Sequence, residues 1–272
     1  MAYKKASVLI LFLLLTLTAF FGALSDYDSD NKKIHNLELV QNKLLQLTYI
    51  DEIITQLQKE RGLSIIYYVD KSKKYALALD AQRKKINFFI NKASKHIPIA
   101  KLSLKRQEAI EIINNSKISR FQAFMSYSNL IDTLLHQSEL LILKTNNSDI
   151  KNSLIFYNDL NIMQESAAKL RGLIGAILTT KTISKQEYNT VIILNSLLKK
   201  YYQKVKGNIA LELSFEKNSV KATLSTVNKI INIPNLNAKS LQAINIQPLQ
   251  WFDIASTSVN IIRESIIQEI VI

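Results

Sequence analysis

Arginine is scarce in this chain, so the places it occupies are informative. Of 35 basic residues, six are Arg and the rest are Lys. Two of the six are followed by two of the five glycines, in Arg61-Gly62-Leu63 and Arg171-Gly172-Leu173. Arg61 falls in the middle of a stripe at helical spacing: Ile50, Ile54, Leu57, Ile65 and Tyr68. A guanidinium there keeps its proton. Unpaired burial is costly, so it must meet a carboxylate, carbonyl groups or a bound anion. Arg171 stands at the edge of a second stripe that runs from Phe156 through Leu160, Met163, Ala167, Leu170 and Ile174 to Ile177. Beside it lies a small-residue face of Ala168, Gly172 and Gly175, which admits a close neighbouring helix. Gly62 costs about 1 kcal/mol relative to Ala inside a helix, which predicts close approach of another backbone or a ligand. The forked donors of Arg suit a small planar oxyanion better than the point charge of Lys does. Two readings are open on spacing alone. Arg61 and Arg171 hold such an anion, or Arg61 pairs with a carboxylate such as Glu165 or Asp159, or reaches the surface.

The elements that must position these residues are helical. The chain has 272 residues, 47% of them hydrophobic, with only 5 Gly and 3 Pro. So few turn formers argue against a β-sandwich or barrel, and no Gly-rich phosphate loop is present. The absence of Cys excludes disulfides, thiol nucleophiles and Cys-based metal sites. Apolar residues recur every three or four positions, which predicts helices over 33–70, 73–96, 101–115, 118–145, 150–180, 185–206, 209–232 and 248–270. Pro98, the run 146–149, and Pro234 with Pro248 mark breaks. Ser184 and Glu187 have the spacing of a capping box. The fold class is all-α, with antiparallel helices joined by short loops.

A net charge of +13 invites a nucleic-acid reading. The lysines are scattered, as in Lys71, Lys73 and Lys74, without an aromatic-interleaved stripe, and they read as a solvated helical surface. No nucleic-acid partner is expected. At the N-terminus, Lys4-Lys5 precede a charge-free stretch from 6 to 25 with an apolar block at 8–15. Its length suits a membrane-spanning helix or a signal peptide. Residues 1–25 are therefore expected as anchor or signal, 26–35 as a polar spacer and 36–270 as the folded domain. The basic flank places that domain outside the inner membrane, facing the periplasm, whether tethered or released.

The segment Gln56-Leu57-Gln58-Lys59-Glu60-Arg61-Gly62-Leu63-Ser64 resembles the signature of the nitrate- and nitrite-sensing family, L-Q-x-E-R-G-x-S. Leu79, Gln82 and Arg83 resemble its L-x-x-Q-R element, with Asn87 where an acid is common. Tyr127, Asn129, Ile131 and Leu134 resemble a third motif. Residues 163–178 resemble a fourth through Gln164-Glu165 and Arg171, with Leu170 and Gly172 departing from it. Trp251-Phe252, Thr257 and Ile261 resemble the closing helix.

The resemblance implies two packed four-helix bundles with nitrate or nitrite held between the first and fifth helices. It implies Arg61 and Arg171 as the clamp, Arg263 as a third candidate, and Gly62 and Ser64 as residues shaping the pocket. Arg263 has an alternative as a surface residue paired with Glu264 or Glu269. Family members sit in receptors, chemoreceptors, kinases and cyclases, or ahead of an RNA-binding antitermination domain. No such output module follows on this chain, so the expected partners are a second copy and a separate kinase or chemoreceptor. No cofactor and no enzymatic activity are expected: His35, His96 and His136 stand on separate elements without metal-ligand spacing. The competing reading is a structural or partner-binding bundle, a truncated receptor remnant, with its arginines paired internally.

Overall fold

The computed structural model describes residues 2–69, 71–114, 118–145, 148–205, 219–233 and 246–271. Side chains are not described at 2–15, 17, 19–20, 24, 28–29, 100, 148–149 and 268–271. Among the described residues there are eight α-helices and no strand. In chain order they are α1 (Ala2–Val69), α2 (Lys73–Ala93), α3 (Ala100–Asn114), α4 (Arg120–Leu143), α5 (Ser148–Thr180), α6 (Lys185–Val205), α7 (Ser219–Ile231) and α8 (Pro248–Val271). The periodicity located each of them. The first residues of the helix expected at 209–232 and the break at Pro234 lie outside the described residues.

The largest departure is at the start. Helix α1 runs unbroken through residues 26–35, expected as a spacer. No Pro interrupts it, and its polar stretch carries a helical ion pair of Lys33 with Asp30 at 3.1 Å. Among the described residues no helix is long and apolar enough to cross a membrane. The apolar block at 8–15 has its side chains outside them.

The chain forms two compact units, Met1–Leu45 and Gln46–Ile272. The first is the leading part of α1, where Phe21, Tyr27, Ile34 and Leu37 are exposed. The second contains the rest of α1 and every other helix. Within it, Ile50, Ile53, Ile54, Leu57 and Ile65 of α1 are buried, and so are Asp51, Thr55, Gln56, Gln58, Glu60, Arg61 and Ser64. A helix buried nearly all round must satisfy its polar side chains internally. Each surrounding helix supplies partners: Gln82 on α2, Arg106 on α3, Tyr127 on α4, Glu165 on α5 and Arg263 on α8. The other half is a closed circuit in which α5 packs on α6, α6 on α7, α7 on α8 and α8 back on α5.

The small face of α5 meets two helices, α8 at Gly175 and α4 at Gly172, in ordinary van der Waals contact. A Cβ at Gly175 would meet the Trp251 ring at 3.8 Å, and one at Gly172 would meet Phe124 at 3.5 Å. Trp251, fully buried, donates its indole N–H to the Arg171 carbonyl at 3.0 Å. Helix ends follow local chemistry. The Ser184–Glu187 capping box forms, with the Glu187 amide donating to Ser184 Oγ at 3.2 Å and the Ser184 amide donating to Glu187 Oε2 at 2.8 Å. Ser119 and Gln122 form a second box. Lys181, with φ 55°, ends α5. Pro248 opens α8 at the position where a missing N–H is harmless.

Candidate anion site

Five of the six arginines bind carboxylates. Glu60, fully buried, takes the Arg106 fork at 2.7 and 3.0 Å, Arg83 Nε at 3.4 Å and the Tyr127 hydroxyl at 2.9 Å. It thereby joins α1 to α2, α3 and α4. Asn87 Oδ1 accepts from Arg106 Nη1 at 2.7 Å. Asn87 thus serves this guanidinium as a neutral acceptor. Arg120 donates to Glu187 at 2.9 and 2.6 Å and to the Ala176 carbonyl at 3.2 Å, closing the end of α5.

Arg61 is 1% exposed and grips Glu165 of α5 through both terminal nitrogens, at 2.5 and 3.2 Å. Its Nη1 also donates to Ser128 Oγ at 3.1 Å, and its guanidinium lies 5.2 Å from the centroid of the Phe124 ring. Glu165 accepts from Gln58 Nε2 at 2.9 Å and has Lys169 Nζ at 3.6 Å. Lys169 in turn is 2.7 Å from Asp132. Of the two partners open to Arg61 from spacing, Glu165 is the one found. Asp159 pairs with Lys204 at 2.6 Å instead.

Arg171 differs. Among the described residues it is the arginine with no carboxylate oxygen within 4.0 Å. One hydrogen bond reaches Ser256 Oγ at 3.3 Å, and the Phe252 ring of α8 lies 5.2 Å away. Burial, and then the like charge of Arg61, push its pKa down to about 10, so it stays charged at neutral pH. Lys59 is lowered too, first by burial and then by Lys85, Arg263 and Arg171 among its neighbours. Arg61, Arg171, Arg263 and Lys59 thus come together where α1, α5 and α8 meet, with Glu52, Asp51 and Glu165 among them.

Arg263 reaches across to α1. Its Nη2 donates to Glu52 at 2.8 Å and its Nη1 is 3.6 Å from Asp51. It is half-buried and pairs with these acids of α1 rather than with Glu264, while the Glu269 side chain lies outside the described residues. Asp51 is buried, and burial pushes its carboxyl up to about 6, against the pull of Arg263. Gln164, one residue before Glu165, is buried with neither amide atom hydrogen-bonded. At 100° per residue it lies on the Arg171 face of α5, two turns away.

Gly62 does not carry a close backbone approach: a Cβ there would meet no heavy atom within 4 Å. The backbone alternative fails because this side of α1 is only half covered, and the space it leaves does not bear on a ligand. Ser64 is fully buried beside Tyr127, on the Glu60 side of the helix. Spacing thus found the arginines but missed Glu60 and Arg106. The overlooked signal was that Glu60 continues the Ile53–Leu57 stripe, where a carboxylate needs a cation as surely as Arg61 needs an anion.

The nitrate and nitrite sensing family matches residues 52–266 of the chain. The solved structure titled "Structure of the NasR transcription antiterminator" superposes with a TM-score of 0.70 at 14% sequence identity, covering 91% of this chain and 72% of that one. At that identity the likeness is one of fold. No curated protein matches.

Proposed function

The chain belongs to the nitrate and nitrite sensing family, and from that premise we propose that it binds nitrate or nitrite at the arginine cluster between α1, α5 and α8. One observation carries this reading: Arg171 is a largely buried guanidinium with no carboxylate of the described residues within 4.0 Å, beside the like charge of Arg61. A small planar oxyanion supplies the missing charge and accepts two parallel N–H bonds from one guanidinium edge. Arg171 is the primary ligand and Arg61 the second. Arg263, with one terminal nitrogen not hydrogen-bonded, lies at the α8 side of the cluster.

Anion binding relieves the repulsion between the two guanidinium groups and draws α5 and α8 toward α1. A ligand shifts such an equilibrium only by its differential affinity for two arrangements, and the unpaired Arg171 makes the free arrangement the costlier one. We assign the sensor to the periplasmic side of the inner membrane, tethered or exported through residues 1–25, acting as a homodimer on a separate kinase or chemoreceptor. No enzymatic step is assigned to it.

The Arg61–Glu165 pair favours a second reading, a bundle whose arginines only hold helices together. Calorimetric titration of sodium nitrate and sodium nitrite into the full chain separates the two. Saturable heat lost in Arg171→Met is the expected result; no heat with either anion supports the second reading.

A further inference from the structure

Resting on that reading, we propose that Glu165 is a built-in competitor for the anion, and that its exchange between Arg61 and Lys169 sets the affinity of the site. A carboxylate and a nitrate present the same face to a guanidinium: two coplanar oxygens accepting two parallel N–H bonds. In the present arrangement Glu165 occupies that face of Arg61, at 2.5 and 3.2 Å. An anion that takes the same edge must displace it. A buried carboxylate cannot be left without a cation.

The replacement is already in reach. Lys169 Nζ, one turn further along α5, is 3.6 Å from Glu165 Oε1, and it is mostly buried. Its present partner, Asp132 of α4, is half-exposed and holds it at 2.7 and 2.9 Å. The row Asp132–Lys169–Glu165–Arg61 alternates in sign from solvent to core. When the anion arrives, Glu165 leaves Arg61, keeps Gln58, and closes on Lys169, while Asp132 falls back on water. The row ties occupation of Arg61 to the contact between α5 and α4, an exchange of ion pairs with no proton moved.

The pattern of affinities tests this, because a merely structural role for these residues cannot raise binding. Nitrate is titrated calorimetrically into the full chain and three variants at fixed ionic strength. Glu165→Gln keeps the shape and removes the competitor, and nitrate should bind at least about tenfold tighter. Asp132→Asn loosens Lys169 for Glu165 without touching the buried pair, and should tighten binding severalfold. Lys169→Met removes the receiving cation and should weaken it about tenfold or more.

Because Glu165→Gln leaves Arg61 uncompensated and lowers the midpoint of the free chain, Asp132→Asn is the variant that tests the exchange in an intact core. Parent binding with no gain in either Glu165→Gln or Asp132→Asn overturns the exchange while leaving the anion site standing. Binding by Glu165→Gln where the parent binds weakly or not at all supports it. Binding by neither overturns both.

Discussion

The Arg61 guanidinium and the Glu165 carboxylate form a two-pronged pair across the α1–α5 interface, while Arg171, six residues beyond Glu165 on the same helix, has no such partner among the described residues. Two arginines that look alike in sequence therefore have opposite energetics. Breaking the pair by Arg61→Ala leaves a buried carboxylate uncompensated and should cost about 3–5 kcal/mol of stability in the free chain. Arg171→Met removes a cation with no carboxylate among the described residues within 4.0 Å, only the longer-range pull of Glu165, and should stay within about 1 kcal/mol of the parent. Urea denaturation compares the two. Equal, large losses would mean that Arg171 has a structural partner.

Glu60 is the hub of the α1–α4 half. Replacing it by Gln strands Arg106 and leaves Arg83 without its acid, so a loss of about 3–5 kcal/mol is expected. Tyr127→Phe removes one hydrogen bond to the same carboxylate and should cost about 2 kcal/mol. Chemical denaturation gives both values, and a mild Glu60→Gln would contradict the hub.

Asp51 makes stability depend on pH in an unusual direction. Its carboxyl is raised from 3.8 to about 6 by burial, so between those values the folded chain holds a proton that the unfolded chain releases. The contribution of this group is complete below pH about 4 and is lost as pH rises through about 6. The difference corresponds to about 3 kcal/mol. Asp51→Asn should therefore equal the parent at pH 4 and be more stable at pH 8. Thermal midpoints of the two chains at both pH values decide it; a variant less stable at pH 8 would show that the charge on Asp51 is needed by Arg263.

Gly62→Ala should stabilise the free chain by about 0.5–1 kcal/mol, since the position is helical and a Cβ there has room. Ser184→Ala, which removes the α6 cap, should cost about 1 kcal/mol. Both are read by thermal unfolding, and a destabilising Gly62→Ala would revive a packing role for this glycine.

The helices, the Ser184–Glu187 cap and the small face of α5 were legible because each depends on residues close in sequence. The site was legible in part. A stripe that contains Arg61 announces a buried cation, but only the fold decides between a carboxylate and a ligand, since Glu165 lies on another helix. Asp51, Gln56, Gln58 and Glu60 point around the helix rather than to one side at 100° per residue, and as polar side chains none of them announces burial. They are buried because other helices surround α1, which its own periodicity does not encode. The family motifs gain a physical meaning in the same way. Gln82, Arg83, Tyr127 and Glu165, spread over the three helices α2, α4 and α5, are partners of the segment around Arg61.

The most direct measurement is thermal unfolding of the full chain in sodium nitrate, sodium nitrite and sodium chloride at matched ionic strength. At 100 times its dissociation constant a one-site ligand adds about 2.7 kcal/mol, roughly 5–10 °C for a chain of this size. The account predicts a rise specific to nitrate or nitrite that vanishes in Arg171→Met while the midpoint of that variant in chloride stays near the parent. Equal midpoints in all three salts, or a rise that survives Arg171→Met, would contradict it.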